Sequence, residues 1–270
     1  MNTHSHPAGT DSLTFLGTAG ARFMVSRQLA ASGGIWLSLN GTQVLLDPGP
    51  GCIVQTNKRK LNAEKLSAII VSHRHLDHSG DVNVMVEAMT GGGFKRHGTL
   101  FAPADALREK EPVMFSYLKP FVDGITVLEA KTSYQINNIT FTTSERHVHP
   151  VETYGLVFHA SGHALGYLTD TSYFDSLHRS YAGSELLIIN MVLTEPRPPI
   201  EHLSIPDVER LIIEIKPRVA ILTHFGMHVW QARPWLIAAD LSQKTGMRVI
   251  SARDGMKFEL SRLDEAPDGN

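Results

Sequence analysis

The sequence predicts an α/β chain, in the broad sense that includes α+β, and three observations lead there. Two apolar-rich runs, 35–39 and 42–46, flank Asn40-Gly41, the strongest short hairpin signal available. The chain therefore opens with antiparallel strands before any clear helix, which argues against a doubly wound parallel fold. A loose duplication of sheet-then-helix halves follows, without a short fixed period, and candidate ligand residues recur where predicted strands end.

Composition narrows the classes. A chain of 270 residues can bury a sizeable core, and 42% hydrophobic with 19% charged residues is ordinary for a soluble globular protein. A net charge of −2 provides no basic field to recruit nucleic acid, and Lys58-Arg59-Lys60 is the one compact basic run. The single cysteine, Cys52, excludes an intramolecular disulfide and any zinc site built on several thiolates, and it fits a reducing, cytoplasmic setting. Residues 1–11 read as a disordered polar lead without a signal peptide, 12–262 as a single domain and 263–270 as a polar tail. His4 and His6 are expected to face solvent, and no apolar stretch approaches the length of a membrane span.

Taken in order, 12–18 alternates as a strand, and Asp47-Pro48-Gly49-Pro50-Gly51 ends the hairpin in a turn. The β-branched run 66–71 predicts a buried strand. Apolar spacing predicts a helix over 79–89, closed by Gly91-Gly92-Gly93. A strand is expected at 99–102, a helix at 104–117, and strands at 127–128, 134–137, 139–143, 154–160 and 166–169. A helix over 172–181 and a strand over 186–190 precede 194–199, which is too proline-rich for helix or central strand. Ser204-Ile205-Pro206-Asp207 is a helix start with a capping hydroxyl, a proline in the first turn and an acidic residue three after the cap. Pro217 stops that helix. A strand at 219–223, a helix at 234–245 ended by Gly246, and strands at 248–251 and 256–260 complete the chain.

The chemistry concentrates in Ser72-His73-Arg74-His75-Leu76-Asp77-His78, four potential metal ligands in six residues at a strand exit. His73 and His75 can present imidazoles to one side while Asp77 and His78 turn a little further, so the bend can feed two neighbouring ions. A solvated loop rarely needs three histidines and an aspartate together. His149, Asp170 and His224 also stand at predicted strand ends; singly, each reads as readily as a satisfied histidine or a helix cap.

At these residues the chain resembles the metallo-β-lactamase-fold superfamily, whose signature is H-x-H-x-D-H. His149-Pro150-Val151-Glu152-Thr153-Tyr154-Gly155 is similar to the H-P-x-E-x-Y-G element of its phosphodiesterase branch, which includes the tRNA 3′-processing endonucleases (tRNase Z). That match selects His149 over His147. Leu168-Thr169-Asp170-Thr171 resembles the bridging-aspartate element and Leu222-Thr223-His224-Phe225-Gly226 the last-histidine element, and the resemblance starts at Phe15-Leu16-Gly17-Thr18. It implies a four-layer αββα sandwich of two mixed sheets flanked by helices. It also implies that His73, His75 and His149 hold one metal, that Asp77, His78 and His224 hold the other, that Asp170 bridges them, and that Asp47 lies behind the site.

Two divalent ions about 3.5–4 Å apart can lower the pKa of a shared water and stabilise charge on a phosphoryl or acyl oxygen. Nitrogen and oxygen donors without thiolate make zinc the first expectation, with manganese or iron as alternatives. Oxygen-reducing di-iron members of the superfamily carry Glu where this chain has His75, so hydrolysis is favoured over redox chemistry. His202, 22 residues ahead of His224, resembles in placement a histidine that phosphodiesterase members put near the scissile phosphate. Asp77 and His202 are the candidate catalytic residues. Arg22, Arg27 and Arg146 are candidates to bind a phosphate, and His228 and Trp230 to line the mouth.

Two departures limit the analogy. A strand that leads into His-Glu-Ala-Thr in the tRNA-processing enzymes leads here into Asn190-Met191-Val192-Leu193. His149 and Asp170 are 21 residues apart, which leaves no room for the long tRNA-gripping arm. The compact spacing looks more like the PhnP-type phosphodiesterases, whose extra cysteine-built zinc site one cysteine cannot form. The expected function is a dinuclear metal-dependent hydrolase of a small or cyclic phosphodiester. The alternatives are a lactone or ester hydrolase, an RNA-processing endonuclease, or a metal-binding protein without turnover. A small phosphodiester or ester is the expected partner, with a homodimer left open.

Overall fold

The computed structural model describes residues 11–108 and 110–265. Asn40 and Gly41 both take positive φ, 48° and 77°, as a two-residue hairpin turn requires. They join β2 (Ile35–Leu39) to β3 (Thr42–Leu46) in a register running from Leu39↔Thr42 to Ile35↔Leu46. On one side of this hairpin, β1 (Ser12–Phe15) pairs antiparallel with β2. On the other, β4 (Leu66–Ile70), β5 (Thr99–Pro103) and β6 (Gly124–Leu128) continue in parallel.

A second sheet starts with the antiparallel run β7 (Ser133–Ile136), β8 (Ile139–Arg146), β9 (Tyr154–Ala160) and β10 (His163–Leu168). The strands β11 (Leu186–Asn190), β12 (Val219–Thr223) and β13 (Arg248–Ser251) extend it in parallel. The last strand, β14 (Lys257–Glu259), crosses back to pair with β1. Among the described residues the strands form two seven-stranded mixed sheets.

Side-chain alternation stacks these sheets. Leu13, Phe15, Leu37, Val44 and Ile70 of the first face Phe141, Leu156, Phe158, Ile188 and Ile221 of the second in one buried cluster. Outside the first sheet, Leu45, Ile69 and Leu100 pack on α4 (Val82–Met89) through Val82, Met85, Val86 and Met89. Outside the second, Leu187, Ile189, Ala220 and Leu222 pack on α6 (Ile205–Ile215) and α8 (Pro234–Thr245). Strands covered on both faces need apolar residues at successive positions, which is why 186–189 and 219–222 read as continuous apolar runs. Each such Leu or Ile contributes about 1.5–3 kcal/mol when fully buried. The result is the four-layer αββα sandwich.

Local signals hold where they are strong. The Asp207 carboxylate accepts from the Ser204 backbone N–H (2.9 Å) and hydroxyl (2.5 Å) at the head of α6. Gly246, at φ 72°, closes α8. Three helical expectations change. The helix over 79–89 is broken at Gly80-Asp81 into α3 (Leu76–Ser79) and α4, with Asp81 Oδ2 accepting from the Ile53 N–H at 3.0 Å. The helix over 104–117 reduces to α5 (Ala104–Arg108) and a 3-10 turn at Ser116–Phe121. Pro112 has no amide hydrogen and disfavours helix at Glu111, and Val113 folds back to donate to the Ala106 carbonyl. Over 172–181 only the 3-10 turn Leu177–Tyr181 forms, while the Ser172 N–H donates to the Val148 carbonyl.

Three short helices carried no periodic signal: α1 (Ala21–Arg27), α2 (Cys52–Lys58) and α7 (Met227–Gln231). The expected disordered lead and polar tail lie largely outside the described residues; within them, Leu263 is buried in a turn over Leu260–Asp264. Among the described residues no helix is long and apolar enough to cross a membrane.

Candidate metal centre

Parallel strands in both sheets end at one rim of the sandwich, and the candidate ligands follow those ends. Asp47 succeeds β3, and the Ser72–His78 stretch follows β4. Asp170 lies just past β10, Asn190 ends β11, and His224 follows β12. Crevices outside the carboxyl ends of parallel strands are where open sheets gather functional groups. Asp77 and His78 ride on the single turn of α3, which the His75 carbonyl opens by accepting the His78 N–H. His224 is held in the left-handed region at φ 58°, uncommon for a non-glycine residue and characteristic of functional sites. Its ring lies so close to Gly20 that a Cβ there would sit 2.2 Å from His224 Nδ1, so only glycine fits.

Seven predicted side chains come together in three overlapping groups: His73, His75 and His149; His73, His78 and Asp170; and Asp77, His78 and His224. Within each group the donor atoms lie within 4.8 Å of one another. Asp170 stands between the outer two, with Oδ2 at 3.4 Å from His78 Nε2 and 3.8 Å from His73 Nε2, and Oδ1 at 3.4 Å from His224 Nδ1. His202 joins them, with Nδ1 at 3.6 Å from Asp170 Oδ2. These gaps exceed hydrogen-bond lengths. Four donors each about 2.0–2.1 Å from a tetrahedral zinc stand roughly 3.4 Å apart, which is the spacing seen here.

The imidazoles are aimed. His78 Nδ1 donates to Asp47 Oδ2 at 2.9 Å, and His149 Nδ1 to the Glu201 carbonyl at 3.0 Å. The Ser72 hydroxyl spends its hydrogen on Asp47 Oδ2 (2.7 Å), so at 3.0 Å it accepts from His73 Nδ1. All three rings are thus anchored through Nδ1 and turn Nε2 to the centre, the arrangement that outer hydrogen bonds give metal-ligating histidines. His75 faces His149 Nε2 at 3.1 Å through its Nδ1.

Burial sets the charges. It holds His73 well below the usual imidazole range, depresses His75, and brings His149 to about 4, so these three rings are neutral donors at pH 7. Burial also opposes ionisation of Asp170, but His224, His202 and His78 hold its carboxyl well below the ordinary value. For His78, burial is outweighed by Asp170, Asp47 and Asp77, and the ring is pushed up.

The donor chemistry fits a cation. Buried polar atoms are nearly always hydrogen-bonded, yet His73 Nε2, His78 Nε2, His202 Nδ1 and both ring nitrogens of His224 have no hydrogen-bond partner among the described residues. Ring nitrogens that converge beside the Asp77 and Asp170 carboxylates without hydrogen-bond partners form a donor set that a cation would complete. Neutral imidazoles with carboxylates and no thiolate suit zinc first, and manganese or iron next.

His147, set aside in favour of His149, is a buried brace: Nδ1 meets the Asp170 carbonyl at 3.1 Å and Nε2 the Tyr181 hydroxyl at 2.9 Å, and burial lowers its pKa to about 4. Trp230 is partly buried and packs against Ala19, Met24 and Ala30. Sequence reasoning missed Ser72, Tyr167 and Asn190. Tyr167 and Ser72 both donate to Asp47, and Asn190 donates to Asp170. A signal was present for Asn190, which stands at a strand end level with the ligands.

This fold and this cluster define a hydrolase of the metallo-β-lactamase type. The family described as beta-lactamase superfamily domain matches residues 42–225, and the chain belongs to it. The MJ1374 protein of Methanocaldococcus jannaschii is 32% identical over 256 residues, spanning 92% of this chain and 94% of its own length. Among solved structures, the metallo-β-lactamase-fold protein YhfI of Bacillus subtilis superposes with a TM-score of 0.77 at 22% identity, covering 93% of this chain and all of YhfI. A diphosphatase of the PhnP family superposes with a TM-score of 0.70 at 21% identity, covering 93% and 98% of the two chains. At these identities the structural likenesses establish the fold.

Proposed function

We propose that the chain is a dinuclear metal-dependent hydrolase of small or cyclic phosphodiesters. The observation that carries this reading is the set of three anchored imidazoles whose Nε2 atoms converge with Asp170 between them. His73, His75 and His149 would hold one ion, Asp77, His78 and His224 the second, and Asp170 both. Bound there, two divalent ions would supply a nucleophile from water near neutral pH and offset charge growing on the phosphoryl oxygens.

The remaining steps belong to side chains. His202 stands beside Asp170 and would hand a proton to the departing ester oxygen, a role suited to an imidazole. Arg22, at the start of α1, is near enough for its charge to act on His75, and would draw the anionic substrate in. The interval between His149 and Asp170 is filled by the β9–β10 hairpin, which turns at Ser161-Gly162. With no arm there and a net charge of −2, a small substrate is favoured over a folded RNA.

A second reading, hydrolysis of a lactone or other ester, is favoured by apolar side chains beside the centre: Leu76, Val148 and Ile200 are exposed within two residues of candidate ligands or His202. Elemental analysis run beside hydrolysis of bis(p-nitrophenyl) phosphate and of a simple lactone separates the two. Two equivalents of metal with phosphodiester turnover are expected. Lactone turnover alone would move the protein to the ester reading, and failure to bind metal after reconstitution would overturn both.

A further inference from the structure

One buried side chain at the centre has no part in the reading above. Asn190 is 2% exposed at the end of β11, between the strands that deliver Asp170 and His224. Its Nδ2 donates to Asp170 Oδ1 at 2.9 Å. The amide cannot be reversed there, because its carbonyl would then face a carboxylate oxygen, acceptor against acceptor. Its own Oδ1 is buried and has no hydrogen-bond partner among the described residues. A buried amide left half unsatisfied carries a desolvation penalty, which the hydrogen bond to Asp170 and a longer one from Nδ2 to Thr169 Oγ1 (3.4 Å) offset.

That contact decides a rotation. The terminal torsion of an aspartate is broad and nearly two-fold, so nothing in the side chain itself fixes which oxygen faces which neighbour. With Oδ1 held by Asn190, Oδ2 is turned to His78 Nε2, His202 Nδ1 and His73 Nε2 at 3.4, 3.6 and 3.8 Å. Because the donor is a neutral amide, it orients Asp170 without adding charge to the cluster.

We propose that Asn190 is a positioning residue for Asp170, locking the carboxylate with Oδ2 turned to His73, His78 and His202 and Oδ1 on the His224 side. This rests on the dinuclear reading. The test uses Asn190→Leu, similar in volume, and Asn190→Ala, both lacking the donor. Zn2+ affinity is measured by competition with a chromophoric chelator, and thermal unfolding of the zinc-free proteins is measured beside it.

Both variants are expected to bind Zn2+ about 10–100-fold more weakly than the wild type, the usual effect of removing an outer partner of a ligand. Their phosphodiester turnover should recover as Zn2+ is raised, at unchanged KM. If Asn190→Leu fails to fold, Asn190→Ala decides. Wild-type Zn2+ affinity in a folded variant overturns the proposal, as does a loss of turnover that excess Zn2+ does not restore. A wild-type protein that binds no Zn2+ overturns the dinuclear reading instead, and the proposal falls with it.

Discussion

Asp47 Oδ2 accepts from His78 Nδ1 at 2.9 Å while the same carboxylate takes the Ser72 N–H (2.6 Å), the Ser72 hydroxyl (2.7 Å) and the Tyr167 hydroxyl (2.7 Å). Four donors on one buried carboxylate fix the His78 ring and, through Ser72, the His73 ring. Asp47→Asn tests this without disturbing the backbone, because asparagine tolerates the left-handed φ of 47° found there. The amide sets an N–H against at least one of those donors. Metal affinity is expected to fall about 10–100-fold, read by competition with a chelator.

Unlike Nδ1 of His73, His78 and His149, His202 Nδ1 has no hydrogen-bond partner among the described residues, and it lies 3.6 Å from Asp170 Oδ2. His202→Ala should therefore leave metal content unchanged while lowering phosphodiester turnover by about 10²–10⁴, the range for losing a general acid. Steady-state kinetics beside elemental analysis would show it. Loss of metal in this variant would make His202 a ligand rather than a proton donor.

Cys52 is fully buried at the start of α2, and burial, with Asp81 adding to it, pushes its thiol up to about 12. Thiolate is the reactive form, so the native protein should resist a disulfide reagent at pH 8. One equivalent should react once the chain is unfolded in guanidinium. Rapid labelling of the native state would contradict this burial.

Glu185 joins the far end of the second sheet. Burial would raise its pKa, but hydrogen bonds from His163 and Arg218 lower it overall. A carboxylate with a depressed folded pKa stabilises above its unfolded value, about 4.3, and loses that contribution as pH falls through the folded value. Glu185→Gln should thus lower Tm by about 1–2 °C at pH 7, allowing for solvent screening of a half-exposed pair. The gap from wild type should close below about pH 4, measured by calorimetry across the range.

Features legible in the sequence were local. Asn40-Gly41 specifies its turn through two adjacent backbones, and the His73–His78 ligands are neighbours along the chain. The sandwich followed from the resemblance carried by those ligands, since no window of sequence reports that β14 crosses back to β1. The approach of His149, Asp170 and His224 depends on which strands lie side by side and parallel, and periodicity does not encode that. Asn190 was legible as a polar residue at a strand end, but its role needs the β10–β11 pairing. The helix expected at 104–117 gave way at Pro112, and of the one expected at 172–181 only the turn Leu177–Tyr181 forms.

The two outer ligand groups share a construction: His73 and His75 are completed by His149, and Asp77 and His78 by His224. Each pair comes from the first half of the chain and its completing histidine from the second. Neither half alone completes either group, so in the dinuclear reading metal binding would be coupled to the docking of one sheet on the other. Ions bound there would act as rivets between the sheets, adding stability that rises with free metal as RT ln(1 + [L]/Kd). Loading would also proofread assembly, because a chain with misdocked sheets would present two incomplete sites and be left open to unfolding.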